Sequence, residues 1–172
     1  MTINAMRGFT MIELMITLAV LGILFAVGFP SMSAWLQNSQ IRTAAEGGLN
    51  GMQLARAEAV RRNAGVQLAF DANGGWTANV VAGGEVIQSR PATEGSASVA
   101  VAFSPAGANI VTFNGLGRVA LNADGSTPVA AIDFDSNALA AAESRELRVA
   151  IATGGVARMC DPQLAAGDPR AC

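Results

Sequence analysis

Apolar positions along this chain change period twice. Over residues 9–29 they are nearly continuous: FTMIELMITLAVLGILFAVGF is 21 residues with one charge, Glu13, and the next charged residue is Arg42. From Ile41 they recur at steps of three and four, through Ala45, Gly48, Leu49, Met52, Ala55 and Ala59, with Arg42, Glu46, Asn50, Gln53 and Arg61 on the opposite side. That spacing predicts a helix with one apolar stripe. After Gly65 the pattern becomes strand-like, in short runs punctuated by Gly, Asn, Asp and Pro.

The first two regimes continue into each other, so a single helix from Phe9 to about Arg62 is predicted, roughly 80 Å long at ~1.5 Å per residue. Pro30 should kink it, because proline removes a backbone donor and crowds the preceding turn. Arg61 and Arg62 suit a helix C-terminus, where the macrodipole favours cations, and Asn63-Ala64-Gly65 can supply a left-handed cap. Gly47, Gly48 and Gly51 each cost about 1 kcal/mol in a helix relative to alanine. They either admit close approach of a sheet or soften the helix, and close packing is the plainer reading.

Nine strand candidates follow. Residues 66–70, 76–82 and 86–88 read as a meander with hairpin turns between them. Residues 99–103, 110–114, 118–122, 129–134, 146–152 and 156–159 are the others, and 137–142 reads as a helical turn or a loop. The expected fold class is α+β. A long kinked N-terminal helix, transmembrane and then amphipathic, packs on a C-terminal antiparallel β domain of two small sheets. One of these sheets covers the amphipathic half.

About 20 apolar residues span a hydrocarbon core of ~30 Å, so residues 9–29 are long enough for one tilted span. Arg7 just before them places the N-terminus on the cytoplasmic side and sends the remainder outward. A secretory signal peptide would have a small-residue cleavage site after its apolar stretch. Here the candidate site precedes that stretch, at Arg7-Gly8-Phe9, and Pro30-Ser31-Met32-Ser33 follows it. An ordinary membrane anchor is the other reading. Neither accounts for Glu13, since a carboxylate costs about 2.5–3.5 kcal/mol at a helix centre on insertion scales and usually has a partner.

Arg7-Gly8-Phe9-Thr10-Met11-Ile12-Glu13 and the apolar run after it resemble the N-terminal signature of type IV pilins and pseudopilins. The resemblance implies that a prepilin peptidase cuts after Gly8 and that the new N-terminus, Phe9, is N-methylated. It also implies that Glu13, fifth in the mature chain, faces the terminal amine of a neighbouring subunit, and Pro30 matches the proline that kinks the family's helix. Elementary electrostatics agree. A buried carboxylate and a buried ammonium each carry a desolvation penalty that pairing partly offsets. The pair exists only at one axial offset, so it sets register as a buried polar residue does in a coiled coil. The plainer alternative is a Glu13 that snorkels to the headgroups. The implied organisation is a leader at 1–8, a transmembrane and filament-core half-helix at 9–30, an amphipathic half-helix at 31–63 and an exported β-rich domain at 64–172.

Composition removes most chemistry. Among 172 residues there are 34 alanines and 19 glycines but no lysine, histidine or tyrosine. A Ser-His-Asp triad, a P-loop lysine, a Schiff-base lysine and a histidine-ligated metal are thereby excluded. The net charge of −2 gives no global attraction to nucleic acid, and two cysteines are too few to close a zinc site. Asp133 and Asp135 should share one face of a strand, but no nucleophile, metal triad or phosphate loop accompanies them. No enzymatic activity, metal or cofactor is expected.

The segments Phe113-Asn-Gly-Leu-Gly-Arg-Val119 and Gly155-Val-Ala-Arg-Met-Cys160 resemble the GspH/FimT-type domain of minor pilins and minor pseudopilins. That resemblance implies a FimU-like minor pilin that initiates the pilus and sits near its tip. The alternatives are a GspH-like minor pseudopilin of type II secretion and a FimT-like DNA-binding minor pilin for natural transformation. FimT-like members carry Gly-Arg-x-Arg before the first cysteine; the matching stretch here is Gly155-Val156-Ala157-Arg158, with valine at the first arginine position. Arg145, Arg148, Arg158 and Arg170 are the candidates for a basic patch, and ordinary solvated strand and loop charges are their plainer reading. An exported domain reaches an oxidising compartment, so a Cys160–Cys172 disulfide is the default, stabilising by ~3 kcal/mol in the chain-entropy model. The implied partners are other minor pilins and the major pilin, the prepilin peptidase and the inner-membrane assembly platform, with DNA not favoured. The implied location is the bacterial inner membrane, single pass with a periplasmic C-terminal domain, and then the pilus or pseudopilus.

Overall fold

The computed structural model describes residues 9–95 and 98–172, with the side chains of Val27 and Pro30 excepted. The expected leader at 1–8, including Arg7 and Gly8 of the cleavage site, lies outside the described residues. The chain divides into two compact units, one ending at Trp35 and the other running from Leu36 to Cys172. One helix, α1 (Met11–Arg62), contributes to both and runs unbroken through Pro30. In the first unit its described side chains are exposed from Met11 to Ser33.

The end of α1 explains itself locally. Asn63 takes the left-handed conformation, with φ 47°. The Ala64 amide donates to the Ala59 carbonyl at 3.1 Å and the Asn63 amide to the Val60 carbonyl at 3.2 Å. These two bonds are the Schellman arrangement, which satisfies carbonyls left without helical partners. Within the predicted triplet, asparagine rather than Gly65 supplies the cap.

The second unit carries β1 (Val66–Phe70), β2 (Trp76–Val80), β3 (Val86–Arg90), β4 (Val99–Ser104), β5 (Ile110–Phe113), β6 (Val119–Ala120), β7 (Ala131–Ser136), β8 (Leu147–Ile151) and β9 (Ala157–Cys160). They form two antiparallel sheets, in the orders β3-β2-β1-β5-β6 and β4-β7-β8-β9. The strands fall where the sequence places them, with shifted ends. The run predicted at 129–134 starts two residues later, because Val129 donates to the Ile110 carbonyl at 2.9 Å and Ala130 to the Ser104 carbonyl at 2.8 Å. The chain crosses from one sheet to the other at that point. The run predicted at 118–122 shrinks to two residues. Asn122 turns inward, its amide group donating to the Ile110 carbonyl at 3.2 Å and its oxygen accepting from Thr112 Oγ1 at 2.9 Å. Residues 137–142 form turns, not a helix.

Both sheets, rather than one, cover the apolar stripe of α1. Ile41, Ala44, Ala45, Met52, Ala55 and Ala59 share one core with Leu68 and Phe113 of the first sheet and Ile132 and Phe134 of the second. The helix glycines make this possible. A Cβ at Gly48 would lie 3.0 Å from Phe134 Cζ, and one at Gly51 would lie 2.8 Å from Trp76 Cε2. The Trp76 indole N–H donates to the Gly47 carbonyl at 3.0 Å. Close packing, not softening, is therefore what these glycines provide.

Candidate functional site

At its start, α1 is capped by its own side chains. The Glu13 amide donates to Thr10 Oγ1 at 3.3 Å, and the Thr10 amide donates to Glu13 Oε2 at 3.5 Å. This reciprocal pair is a capping box, T-x-x-E. Glu13 has no cation beside it among the described residues. Phe9 is exposed, as are Met11, Ile12 and Leu14 around the carboxylate.

The four arginines proposed as a basic patch do not pool their charge. Asp133 and Arg148 stand opposite each other on β7 and β8, joined by two bonds of 2.5 and 2.9 Å. That pairing, ahead of the burial that opposes it, raises the Arg148 pKa. Arg170 is held by Asp168 at 3.0 and 3.1 Å, which lowers the Asp168 pKa. Arg158 donates to the Cys172 carbonyl at 3.2 Å. Among the described residues, Arg145 is engaged through its backbone amide, which donates to Asn38 Oδ1 at 2.8 Å. Arg148 and Arg158 share their sheet face with Asp133 and Asp135, and Glu146 sits near enough to both aspartates that burial and then their charge raise its pKa.

The carboxylate pair considered for acid–base work is likewise committed. Asp133 and Asp135 do share a face, with Phe134 buried on the other. But Asp133 is taken by Arg148, and Asp135 Oδ1 accepts from the Ser136 amide at 2.7 Å and from the Ser144 hydroxyl. Among the described residues no cluster of three or more Cys, Asp or Glu is placed to hold a metal ion. Cys160 and Cys172 form a disulfide with a Cα separation of 5.1 Å, and the Asp161 backbone amide donates to the Arg170 carbonyl at 2.8 Å inside the closed loop.

Two helix residues that the sequence reading did not single out organise the domain. Asn38 grips the loop before β8 with both ends of its amide, donating to the Glu143 carbonyl at 2.9 Å while accepting from Arg145. Arg56 donates from Nε to the Gly117 carbonyl at 3.0 Å. Gly117, with φ 72°, would place a Cβ 3.0 Å from Val60 Cγ2, and a Cβ on Gly155 would overlap the Gly117 carbonyl. A Cβ on Gly115 would meet the Asn63 cap at 2.6 Å. The two glycine-rich motifs thus come together on the last turns of α1. The available signal was a cation four residues after Met52, at the margin of the apolar stripe.

A capped, exposed apolar half-helix, an amphipathic continuation buried by two antiparallel sheets and a disulfide-closed terminus together define a type IV pilin-like subunit. Residues 3–29 match the family model described as the prokaryotic N-terminal methylation motif, and residues 44–155 match that described as type II transport protein GspH. The second match covers more than half of the chain, which belongs to the GspH family. Two crystal forms of the type IV minor pilin FimU from Pseudomonas aeruginosa are similar in fold. One has a TM-score of 0.52 at 18% identity over 74% of this chain and 92% of that one. The other has 0.50 at 18% over 73% and 97%. No curated protein sequence matches the chain. Chains of this family are structural components that assemble into pili or pseudopili with other pilins.

Proposed function

We propose that the chain is a minor type IV pilin that helps initiate filament assembly and sits near the tip. The observation that carries this reading is the bare apolar half of α1. From Met11 to Ser33 its described side chains are exposed, so their burial requires a bilayer before assembly and neighbouring helices after it. In this reading a prepilin peptidase cuts after Gly8, Phe9 becomes the methylated N-terminus, Glu13 meets the amine of a neighbour and Pro30 kinks the helix. The chain waits in the inner membrane, with its β domain outside, until the assembly platform extracts it. The FimU likeness supports a pilus. The description of the GspH family model favours a second reading, a minor pseudopilin of type II secretion. DNA binding has less support, because Arg148 and Arg170 are paired with carboxylates and Val156 replaces the arginine of the FimT-like motif.

Deleting the gene tests the readings together. Fewer pili support the minor pilin, and reduced secretion with normal pili supports the pseudopilin. Normal pili and secretion with DNA uptake lost would overturn both in favour of a DNA receptor. Mass spectrometry should find a chain beginning at methylated Phe9; a start near Pro30 would remove the pilin processing step.

A further inference from the structure

Beside the Arg56 junction the surface of the β domain opens into a groove of about 590 Å³ between the last turns of α1 and the β8–β9 turn. Its chemistry is specific. Val60 on α1 and Val156 on the turn line it and are 52% and 57% exposed, and Leu116, next to Gly117, is 78% exposed. Single exposed aliphatics are ordinary, but here two line one concavity and a third adjoins the same junction. No carboxylate lines the groove. Of its two cations, Arg61 is held by Glu58 at 2.9 and 2.6 Å. Arg56 commits only Nε, to Gly117, and its two terminal nitrogens have no hydrogen-bond partner among the described residues. A guanidinium offers a fork that fits a carboxylate through two bonds.

We propose that this groove receives an acidic, apolar segment of another pilin subunit, with a carboxylate on Arg56 and an apolar side chain between Val60 and Val156. The inference rests on the assembly reading above and adds where on the β domain a partner docks. The occupant is a polypeptide because the groove pairs one free cation with aliphatic walls. A nucleic-acid strand would call for several free cations and stacking aromatics, and no aromatic residue lines this concavity.

The test places a photo-crosslinking benzoylphenylalanine at Val156 of the full-length chain in cells that assemble the filament, and maps the adduct by mass spectrometry. The expected adduct is a pilin peptide with Asp or Glu beside apolar residues. Gln53, exposed and lining the groove, then supplies the charge test. Gln53→Glu should lower adduct yield about fivefold through like-charge repulsion, whereas Gln53→Arg should hold or raise it. A purely steric or structural role for this face would not follow the sign of the charge. Equal yields in the two variants, an adduct on a segment without a carboxylate, an adduct on nucleic acid, or no pilin adduct would each overturn the proposal. If deletion of the gene still abolishes pili or secretion in that case, the assembly reading survives and only the groove assignment fails.

Discussion

Arg56 and Gly117 are joined by a bond of 3.0 Å from the guanidinium Nε to the glycine carbonyl, across 61 residues of sequence. The same carbonyl lies against Gly155, where a side chain has no room. Nearby, the Val119 amide donates to the Thr153 carbonyl at 3.2 Å and stitches the edge of the first sheet to the β8–β9 turn of the second. One helix residue therefore fixes the place where the helix and both sheets meet. The glycines of the two motifs exist to let that meeting happen.

Gly155→Ala should be costly. The residue has φ 83°, a conformation that side chains rarely adopt, and an added Cβ would overlap the Gly117 carbonyl. Backbone strain and overpacking together predict a loss of about 2–4 kcal/mol. Gly154→Ala is the internal control, since nothing lies within 4 Å of its position, and it should stay within about 0.5 kcal/mol of the parent. Chemical denaturation of the detergent-solubilised chain measures both. Equal stabilities would mean that the junction is not tightly packed.

Gly51→Ala opposes propensity to packing. In an open helix the change would stabilise by about 1 kcal/mol. Here the new methyl would sit 2.8 Å from Trp76 Cε2, and the indole cannot swing away without breaking its bond to the Gly47 carbonyl. The expected net result is a loss of about 1–2 kcal/mol with a shift in Trp76 emission, read in a Trp35→Phe background. A more stable variant with unchanged emission would show that Trp76 leaves room for a methyl group on α1 at this position.

The sequence announced the elements more clearly than their contacts. The period change at Gly65 falls between the end of α1 and the start of β1, whereas exposure of the described side chains of α1 continues past Phe29 to Ser33, and the alternation of Asp133, Phe134 and Asp135 predicts which face each takes. The partners of these residues depend on register and on chain crossings that no local pattern encodes. Asp133 meets Arg148 because β7 and β8 pair at that offset, and this dissolves the basic patch that the arginines suggest when read along the chain. Arg56 was missed for the same reason, since its acceptor is a distant backbone carbonyl. Glu13 is the opposite case. Its place in the N-terminal pattern is plain, and among the described residues its carboxylate is engaged by the Thr10 amide.

Acid should loosen the end of α1. Hydrogen bonds from Arg61 and then Arg62 hold the Glu58 carboxyl down to about 2 from an ordinary 4.5, and Arg62 also reaches Glu85 at 3.0 Å. A carboxyl depressed in the folded state contributes stability that is complete above its unfolded pKa and is lost as pH falls through the folded one. The Glu58 contribution should therefore disappear between about pH 4.5 and pH 2. Glu58→Gln should flatten the stability profile across that window and leave the neutral-to-alkaline side unchanged in slope. An unaltered acid limb would show that Glu58 is not paired in solution.

Glu13 holds two roles that different substitutions can separate. As the last residue of a capping box it accepts from the Thr10 amide, a job glutamine also performs. As the proposed partner of a neighbour's terminal amine it needs its charge. Glu13→Gln should therefore keep the capped helix start while losing the ion pair, and Glu13→Val should lose both. Membrane insertion should survive in either, because each removes a charge from the span. Incorporation into filaments, measured by immunoblot of sheared pili or of cross-linked pseudopili, should fall to a similar extent in both variants. Normal incorporation of Glu13→Gln with failure of Glu13→Val would assign the carboxylate to capping its own helix and leave the neighbour's amine to some other acceptor.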